Sequence, residues 1–417
     1  MLRVAVLVDH RPNHPGETGG LAGTWERLSR AAVRCPDLDL TVFFLGDAAR
    51  CVHRSGNVRH VLLPPVLGTH RFPFFREIPT HTDVAPFHPG LYGRLRGFHI
   101  LHTTDAFHSF AATAQWRSRM SDIPLTTSVQ TDIIGWAQVY TPYVLKRILP
   151  FPALSRWLVE ESSFLQKLRH SMEGRMAKHF KQCGAVFLSN ARDEERARRL
   201  APQARRCHLR RGIDLEAFNP AKRDRRGIAG RFDIPHDRRI LLFVGRVDPV
   251  KGALVAARAV KRLVEEGREV HLLVVGDGSQ RKEVGELLGD RATLTGNLPH
   301  EELGEIYAGS DMLVFPSDGE VWPNVVMEAM ASGLPVLVCR GSAEHLAGGL
   351  EEHGIALSGR DPEEWAQAVA SLLDRPKALE KMGMAARAAA RAHGITWRDV
   401  LLQDLLPVWR SLQSTRP

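Results

Sequence analysis

Cysteine is scarce in this 417-residue chain. The five residues, Cys35, Cys51, Cys183, Cys207 and Cys339, are odd in number, scattered, and never spaced C-x-x-C. That excludes a disulfide framework and reads as reduced thiols in a cytoplasmic protein. Long apolar runs are also missing: none reaches the roughly 18 residues a membrane-spanning helix needs. The opening stretch MLRVAVLVDHRPNHPGE is a short strand and a polar loop. It lacks the longer apolar core and small-residue cleavage site of an export signal, so the chain is expected to be neither secreted by that route nor membrane-spanning. Zinc-finger spacing, a long basic tail and an aromatic-basic RNA motif are absent too, which argues against nucleic acid as a partner.

What is present is a globular composition, 44% hydrophobic and 25% charged, with a formal charge of +9. That excess suits an anionic ligand or surface. The length exceeds one ordinary core and points to two or three domains.

The first half alternates strand and helix patterns. LRVAVLVD, LTVFFLG, VRHVLLP, FHILHTT, LTTSVQT and AVFLSN read as buried strands, and AGTWERLSRAAVRC and FAATAQWRSRM as helices. Such alternation builds a parallel sheet covered on both faces. At Asn219 the chain turns polar, basic and rich in Pro and Gly, which reads as a linker over 219–232. The rhythm then restarts with ILLFVG, VHLLVVGDG, ATLTG, MLVFPS and PVLVC, separated by helical stretches. The expected organisation is an N-terminal domain over 1–218 and a second domain over 233–396. A last helix, about 397–417, carries apolar residues at helical spacing around Trp397, Leu401, Leu405 and Trp409. In two doubly wound domains facing across a cleft, ligands bind at the carboxyl ends of strands.

Motifs follow the strands. Gly16, Gly19, Gly20 and Gly23 lie between the first strand and a helix. Their spacing misses the dinucleotide fingerprint. A Gly19-Gly20 turn at a helix start still suits a phosphate, with a plain strand-to-helix turn as the alternative. In FVGRVDPVKG, Arg246 and Lys251 lie five apart across a turn, in what reads as an exposed loop. They can converge on one diphosphate or stand as two solvated charges. Gly245, Gly276, Gly296 and Asn297 close strands on the side where a nucleotide would lie.

Two carboxylates bracket SDGEVWPNVVMEAMASGLPVLV. On one continuous helix Glu320 and Glu328 would stand roughly 80° apart and share no face. Pro323 suits only the first turn of a helix. Glu320 is therefore expected in the loop and Glu328 on the second turn, with the helix start aimed between them. Ribose, diphosphate and hexose would match a carboxylate, a helix N-terminus and a second carboxylate.

GRVDPVKG, VVGDGSQ, LTGNLPHEELGEIYAGSDMLVFPS and the E-x7-E of EVWPNVVMEAMASGLPVLV, in that order, resemble the group 1 retaining glycosyltransferases with the GT-B fold. The likeness covers most of the second domain. It is weaker in the first, at Gly19-Gly20, Arg211-Gly-Ile-Asp214 and Phe218-Asn-Pro220. The segment LHTTDAFHSFAATAQWRSRMSDIPLTTSVQTDIIGWAQVY is similar to the acceptor side of members that glycosylate membrane lipids.

The resemblance implies two Rossmann-like domains and transfer of a hexose from a nucleoside diphosphate sugar, UDP- or GDP-linked, to a lipid or saccharide hydroxyl. It implies no metal and no other cofactor. Arg246 and Lys251 would bind the diphosphate, and Glu328 the ribose. Glu320 would hold the hexose, and Trp322, Pro323, Asn324 and Val325 the sugar and phosphate. Gly19 and Gly20 would approach from the other domain. The last helix would cross back to the first domain.

Retention by same-face attack needs no protein nucleophile, which argues against a glycosidase pair. Three departures stand out. Gln130-Thr131-Asp132 replaces a His-containing motif, leaving Asp132, Asp105 or the donor phosphate as the base. Trp322-Pro323 replaces a Phe-Gly, and Gly341-Ser-Ala-Glu344 replaces a G-G-x-x-E. Two alternatives stay open: an epimerase or hydrolase on the same fold, and, prompted by the Gln130 and Trp322-Pro323 departures, a degenerate nucleotide-binding partner.

Residues 141–182 hold eight Lys/Arg and three Glu, interleaved with Trp157, Leu158, Phe164 and Leu165. A basic amphipathic surface of this kind lies on anionic lipid, or else packs on a sheet with a charged outer face. The expectation is a peripheral protein on the inner face of the cytoplasmic membrane. The sequence carries no signal for oligomeric state.

Overall fold

A computed structural model describes residues 1–12, 20–75, 82–149, 151, 154, 156–317, 320, 322–340 and 352–414. The chain divides into two compact units. One is formed by residues 1–12, 20–212 and 397 onward, the other chiefly by Ile213–Thr396.

The first unit is built on eight strands: β1 (Leu2–Val8), β2 (Leu38–Leu45), β3 (Arg50–His53), β4 (Val58–Leu63), β5 (Ile100–Thr103), β6 (Leu125–Ser128), β7 (Ala185–Leu188) and β8 (Arg206–His208). Their order is β3-β4-β2-β1-β5-β6-β7-β8. Every pairing is parallel except β3 with β4, an antiparallel edge. Val4, Val6 and Val8 are buried along one face of β1, and Ala5 and Leu7 along the other. Continuous burial of this kind requires cover on both faces. Trp25, from the helix Gly20–Ala32, and Trp409, from the C-terminal helical segment, are fully buried, with His102 of β5 within 5.1 Å and 5.6 Å of their respective rings. That segment passes through a π-helical stretch at Val400–Leu405. Pro407 stands just beyond it and lacks the N–H that a regular turn would use.

The second unit has six parallel strands: β9 (Arg239–Val244), β10 (Val270–Val275), β11 (Ala292–Gly296), β12 (Met312–Phe315), β13 (Val336–Cys339) and β14 (Gly354–Leu357). Their order is β11-β10-β9-β12-β13-β14. Along β9, Ile240, Leu242 and Val244 enter one core and Leu241 and Phe243 the other. The period of two thus fills a hydrophobic layer on each side of the sheet.

The stretch read as a linker is folded. Asp224 caps a helix at Arg225–Arg231 by accepting from the Gly227 N–H at 2.8 Å. Ile228 and Ala229 from that helix join Phe218 in the second unit's core. The solvated arginines around them hid two core contacts inside a basic run. The short strands β3, β8 and β14 and the helices Pro362–Leu373 and Pro376–His393 also went unread in the sequence.

Candidate donor site at the carboxyl ends of the second sheet

The loops leaving β9, β10 and β11 are stitched together by backbone. Gly245 N–H donates to Val275 O, and Gly276 N–H to Gly296 O, each at 2.9 Å. Gly276, at φ +137°, could not carry a side chain, because a Cβ there would lie 2.0 Å from Gly245 O. Gly252, at φ +73°, is pressed against Pro316 O in the same way, at 2.5 Å. Glycine at these points lets the strand ends close up into one backbone-lined floor. Asn297 lies exposed beyond it.

Asp248, fully buried, organises the Arg246–Lys251 loop. Its Oδ2 accepts from Arg246 Nε at 2.9 Å, and its Oδ1 from the Lys251 backbone N–H at 2.9 Å. The two cations therefore leave one turn held at both ends by one carboxylate. Lys251 is not the exposed loop residue expected. Its side chain is 19% accessible, its Nζ lies 5.8 Å from the Phe315 ring centroid, and it is ion-paired with Glu320 Oε1. Burial presses the Glu320 carboxyl upward. The Lys251 charge and hydrogen bond, the Ser317 hydroxyl and the Arg246 charge outweigh that and hold it below its usual range. Ser317 Oγ donates to the same oxygen at 2.5 Å.

Glu320 precedes the helix Asn324–Ala331, with Pro323 at its N-cap, and Glu328 sits on the second turn. Trp322 packs half-buried against the core, its ring 5.8 Å from that of His393. Asn324 and Val325 begin the helix. Glu328 is buried. Tyr307 Oη donates to its Oε2 at 3.2 Å, and His300 Nε2 lies 3.1 Å from its Oε1. The Phe218 ring stacks edge-on against His300, with centroids 5.2 Å apart. Asp248, His300 and Tyr307 were not singled out in the sequence. His300 and Tyr307 stand seven apart in PHEELGEIY, two helical turns, and that spacing was the available signal.

The candidates in the first unit are dispersed. Gly19 and the Gly341–Glu344 segment lie outside the described residues. Gly20, at φ +70°, opens the helix Gly20–Ala32. Asp132 caps the helix Ile133–Ile148, accepting from Gly135 N–H at 3.2 Å, and pairs with Arg196 at 3.1 Å and Arg192 at 3.5 Å. Thr131 lies beside it, its carbonyl accepting from the Ile133 N–H at 3.0 Å. Gln130 donates to Ser128 Oγ at 2.8 Å and accepts from Arg211 Nη1 at 3.2 Å.

Asp105 is buried under a turn. Its Oδ1 accepts from the Phe107 and His108 N–H groups at 2.6 Å and 2.9 Å and lies 3.2 Å from His108 Nδ1. Despite the cost of burial, the His108 charge keeps Asp105 ionised. Asp105 in turn overcomes burial to raise His108 to about 9. Asp9 completes this cluster, pushed up to about 7 chiefly by burial.

Residues 238–375 match the family described as "Glycosyl transferases group 1". A D-inositol 3-phosphate glycosyltransferase of Catenulispora acidiphila is 30% identical over 214 residues, which are 48% of this chain and 50% of that protein. The chain spans about half the length of the curated relatives it matches. Sucrose-phosphate synthase from Thermosynechococcus elongatus superposes with a TM-score of 0.72 at 19% identity, covering 100% of each chain. Anabaena HepE in complex with UDP and glucose gives 0.64 at 14% identity, covering 100% of this chain and 99% of that one. The fold is therefore GT-B, and the part of the second unit over residues 238–375 carries the match to the group 1 glycosyltransferases.

Proposed function

We propose that the protein is a retaining glycosyltransferase that moves a hexose from a nucleoside diphosphate sugar to a hydroxyl of a lipid or saccharide, without a metal. One observation carries this reading: Arg246, Lys251, Glu320 and the start of the Asn324 helix gather at the carboxyl ends of β9 and β12, with Glu328 one turn further on.

In this reading Glu328, held by Tyr307 and His300, accepts from the ribose hydroxyls. The helix N-terminus and the two cations take the diphosphate. Glu320 accepts from the hexose hydroxyls, beside Trp322 and Pro323. As the bond from the anomeric carbon to the phosphate oxygen breaks, charge grows on the departing phosphate. Preorganised cations and backbone N–H groups stabilise it there. The acceptor oxygen bonds the anomeric carbon on the same face, and its proton passes to the departing phosphate. Asp132 takes no part as base, since its oxygens already serve Gly135, Arg192 and Arg196. Gln130, Thr131 and Asp105 lie at or near the carboxyl ends of β6 and β5 and are assigned to acceptor-side contacts.

A lipid acceptor on an anionic membrane surface is supported by one stretch of the first unit. Tyr143, Ile148, Phe151 (67% accessible) and Trp157 (49%) are exposed next to Lys146, Arg147 and Arg156. Aromatic and aliphatic groups beside cations suit the interface of an anionic bilayer. Among the described residues no helix is long and apolar enough to cross a membrane.

The test is a thermal-shift screen with UDP-, GDP- and ADP-sugars, followed by transfer of labelled hexose to lipid extracts and to oligosaccharides. A ligand specific to the folded state raises the melting temperature. No shift with any nucleotide sugar would remove the donor site. Release of free hexose alone would make the protein a hydrolase. Absence of binding to anionic liposomes at low salt would remove the membrane surface.

A further inference from the structure

The second unit has a cavity of about 640 Å³ far from the strand ends just described. It opens at the amino ends of its sheet, beside Arg239, the first residue of β9, Asp311, which precedes β12, and Pro335, which precedes β13. Since β9 is six residues long, roughly 20 Å of strand separates this end from Gly245. The volume falls within the range of small-molecule sites.

Its lining has an unbalanced charge. Arg223, Arg239, Arg387 and Arg391 border it against two carboxylates, Asp311 and Glu380. Asp311 is already shared, 3.2 Å from Arg239 Nη1 and 3.6 Å from Arg225 Nη2. Arg387 spends its donors on carbonyls, to Ala331 O at 2.6 Å and Phe218 O at 2.9 Å, so no carboxylate offsets its charge there. Burial, followed by the like charge of Arg391, holds its pKa below the usual guanidinium range. Among the described residues neither Arg223 nor Arg391 has a carboxylate partner. Arg387 and Arg391 are one helical turn apart on the Pro376–His393 helix, and Met384 and Glu380 continue the same face. Leu334 and Leu379 supply an apolar wall.

Uncompensated guanidinium forks beside an apolar wall recognise a phosphate carried on a compact organic body. We infer that this cavity is a second ligand site, for a small phosphate- or pyrophosphate-bearing molecule, separate from the donor site. Arg387 holds the cavity's shape, and the exposed Arg223 and Arg391 make the contacts that can be removed without touching the core.

The experiment uses the full chain and inorganic pyrophosphate at fixed ionic strength. Phenylglyoxal modification of individual arginines is read by mass spectrometry, and binding by calorimetry. Pyrophosphate is expected to protect Arg223 and Arg391, while sulfate at the same ionic strength leaves them reactive. The Lys251→Ala protein is expected to keep this binding, and adding Arg223→Ala and Arg391→Ala to weaken it about 100-fold, some tenfold per guanidinium. The Arg387→Ala change is avoided because it also strips three backbone carbonyls, Ala331, Phe218 and Leu215, of a donor. Absence of protection, equal protection by sulfate, or unchanged affinity in the triple variant would each overturn the site. None of these outcomes depends on the donor-site assignment.

Discussion

Lys251 Nζ and Glu320 Oε1 form an ion pair between two loops that end neighbouring parallel strands, β9 and β12. The cation assigned to the donor's diphosphate is thus paired with the carboxylate assigned to its hexose. A bound diphosphate would compete for Lys251, and Glu320 would turn to sugar hydroxyls as it is released.

Removal of Lys251 is expected to lower hexose transfer about 100- to 1000-fold, the cost of losing one preorganised donor to a developing anion. The melting temperature should change by only a few degrees, because Ser317 still serves Glu320. Steady-state kinetics alongside thermal melts checks this, and unchanged turnover would take Lys251 out of the site.

Glu320→Gln separates the two roles of the pair. Without the carboxylate, Lys251 is fully available, so UDP or GDP should bind several-fold tighter by calorimetry. Transfer should nonetheless fall, since an amide accepts sugar hydroxyls less strongly than a carboxylate. Weaker nucleotide binding in this variant would contradict the competition.

Tyr307→Phe leaves Glu328 Oε2 without its buried donor, at a cost of about 1 kcal/mol in stability. With the Tyr307 anchor gone and His300 remaining, the carboxylate is aimed less well, so the affinity for the nucleotide sugar should drop several-fold with little change in kcat. A combined His300→Ala change should deepen the affinity loss. A kcat effect with unaltered binding would place Glu328 elsewhere in the mechanism.

Acid should destabilise the first unit. Burial lowers His102 to about 3 and is also the main cause lowering His179 and His60 to about 4. A depressed folded-state pKa means stability is whole above about 6.5 and is lost as pH falls towards 4. Each histidine should cost roughly 1 to 2 kcal/mol by pH 5. Asp9 acts in the opposite sense. Raised to about 7, it favours the fold when protonated and loses that contribution as pH rises from about 4 through 7. Urea titrations between pH 7.5 and 5 should therefore show falling stability, and more steeply in Asp9→Asn. A flat profile would mean these histidines are not buried and neutral.

Much of this protein was legible in one dimension. Period-two burial on both faces, as in ILLFVG, requires a covered parallel sheet, and glycines at strand ends mark backbone close-packing. Pro323 alone was enough to put Glu320 before the helix and Glu328 within it, because proline cannot sit in a helix interior. Local rules govern all of these features, so a short stretch of sequence carries them. Partnerships between distant residues are a different matter. Lys251 with Glu320, Tyr307 with Glu328, and Asp132 with Arg192 and Arg196 join residues 21 to 69 positions apart. A charge looks the same in sequence whether it is solvated, paired or buried, and only the packing of strand ends and helices settles which. For that reason the folding of the basic stretch after Asn219, the pairing of Lys251 and the cavity lined by Arg223 and Arg391 were decided by the tertiary structure.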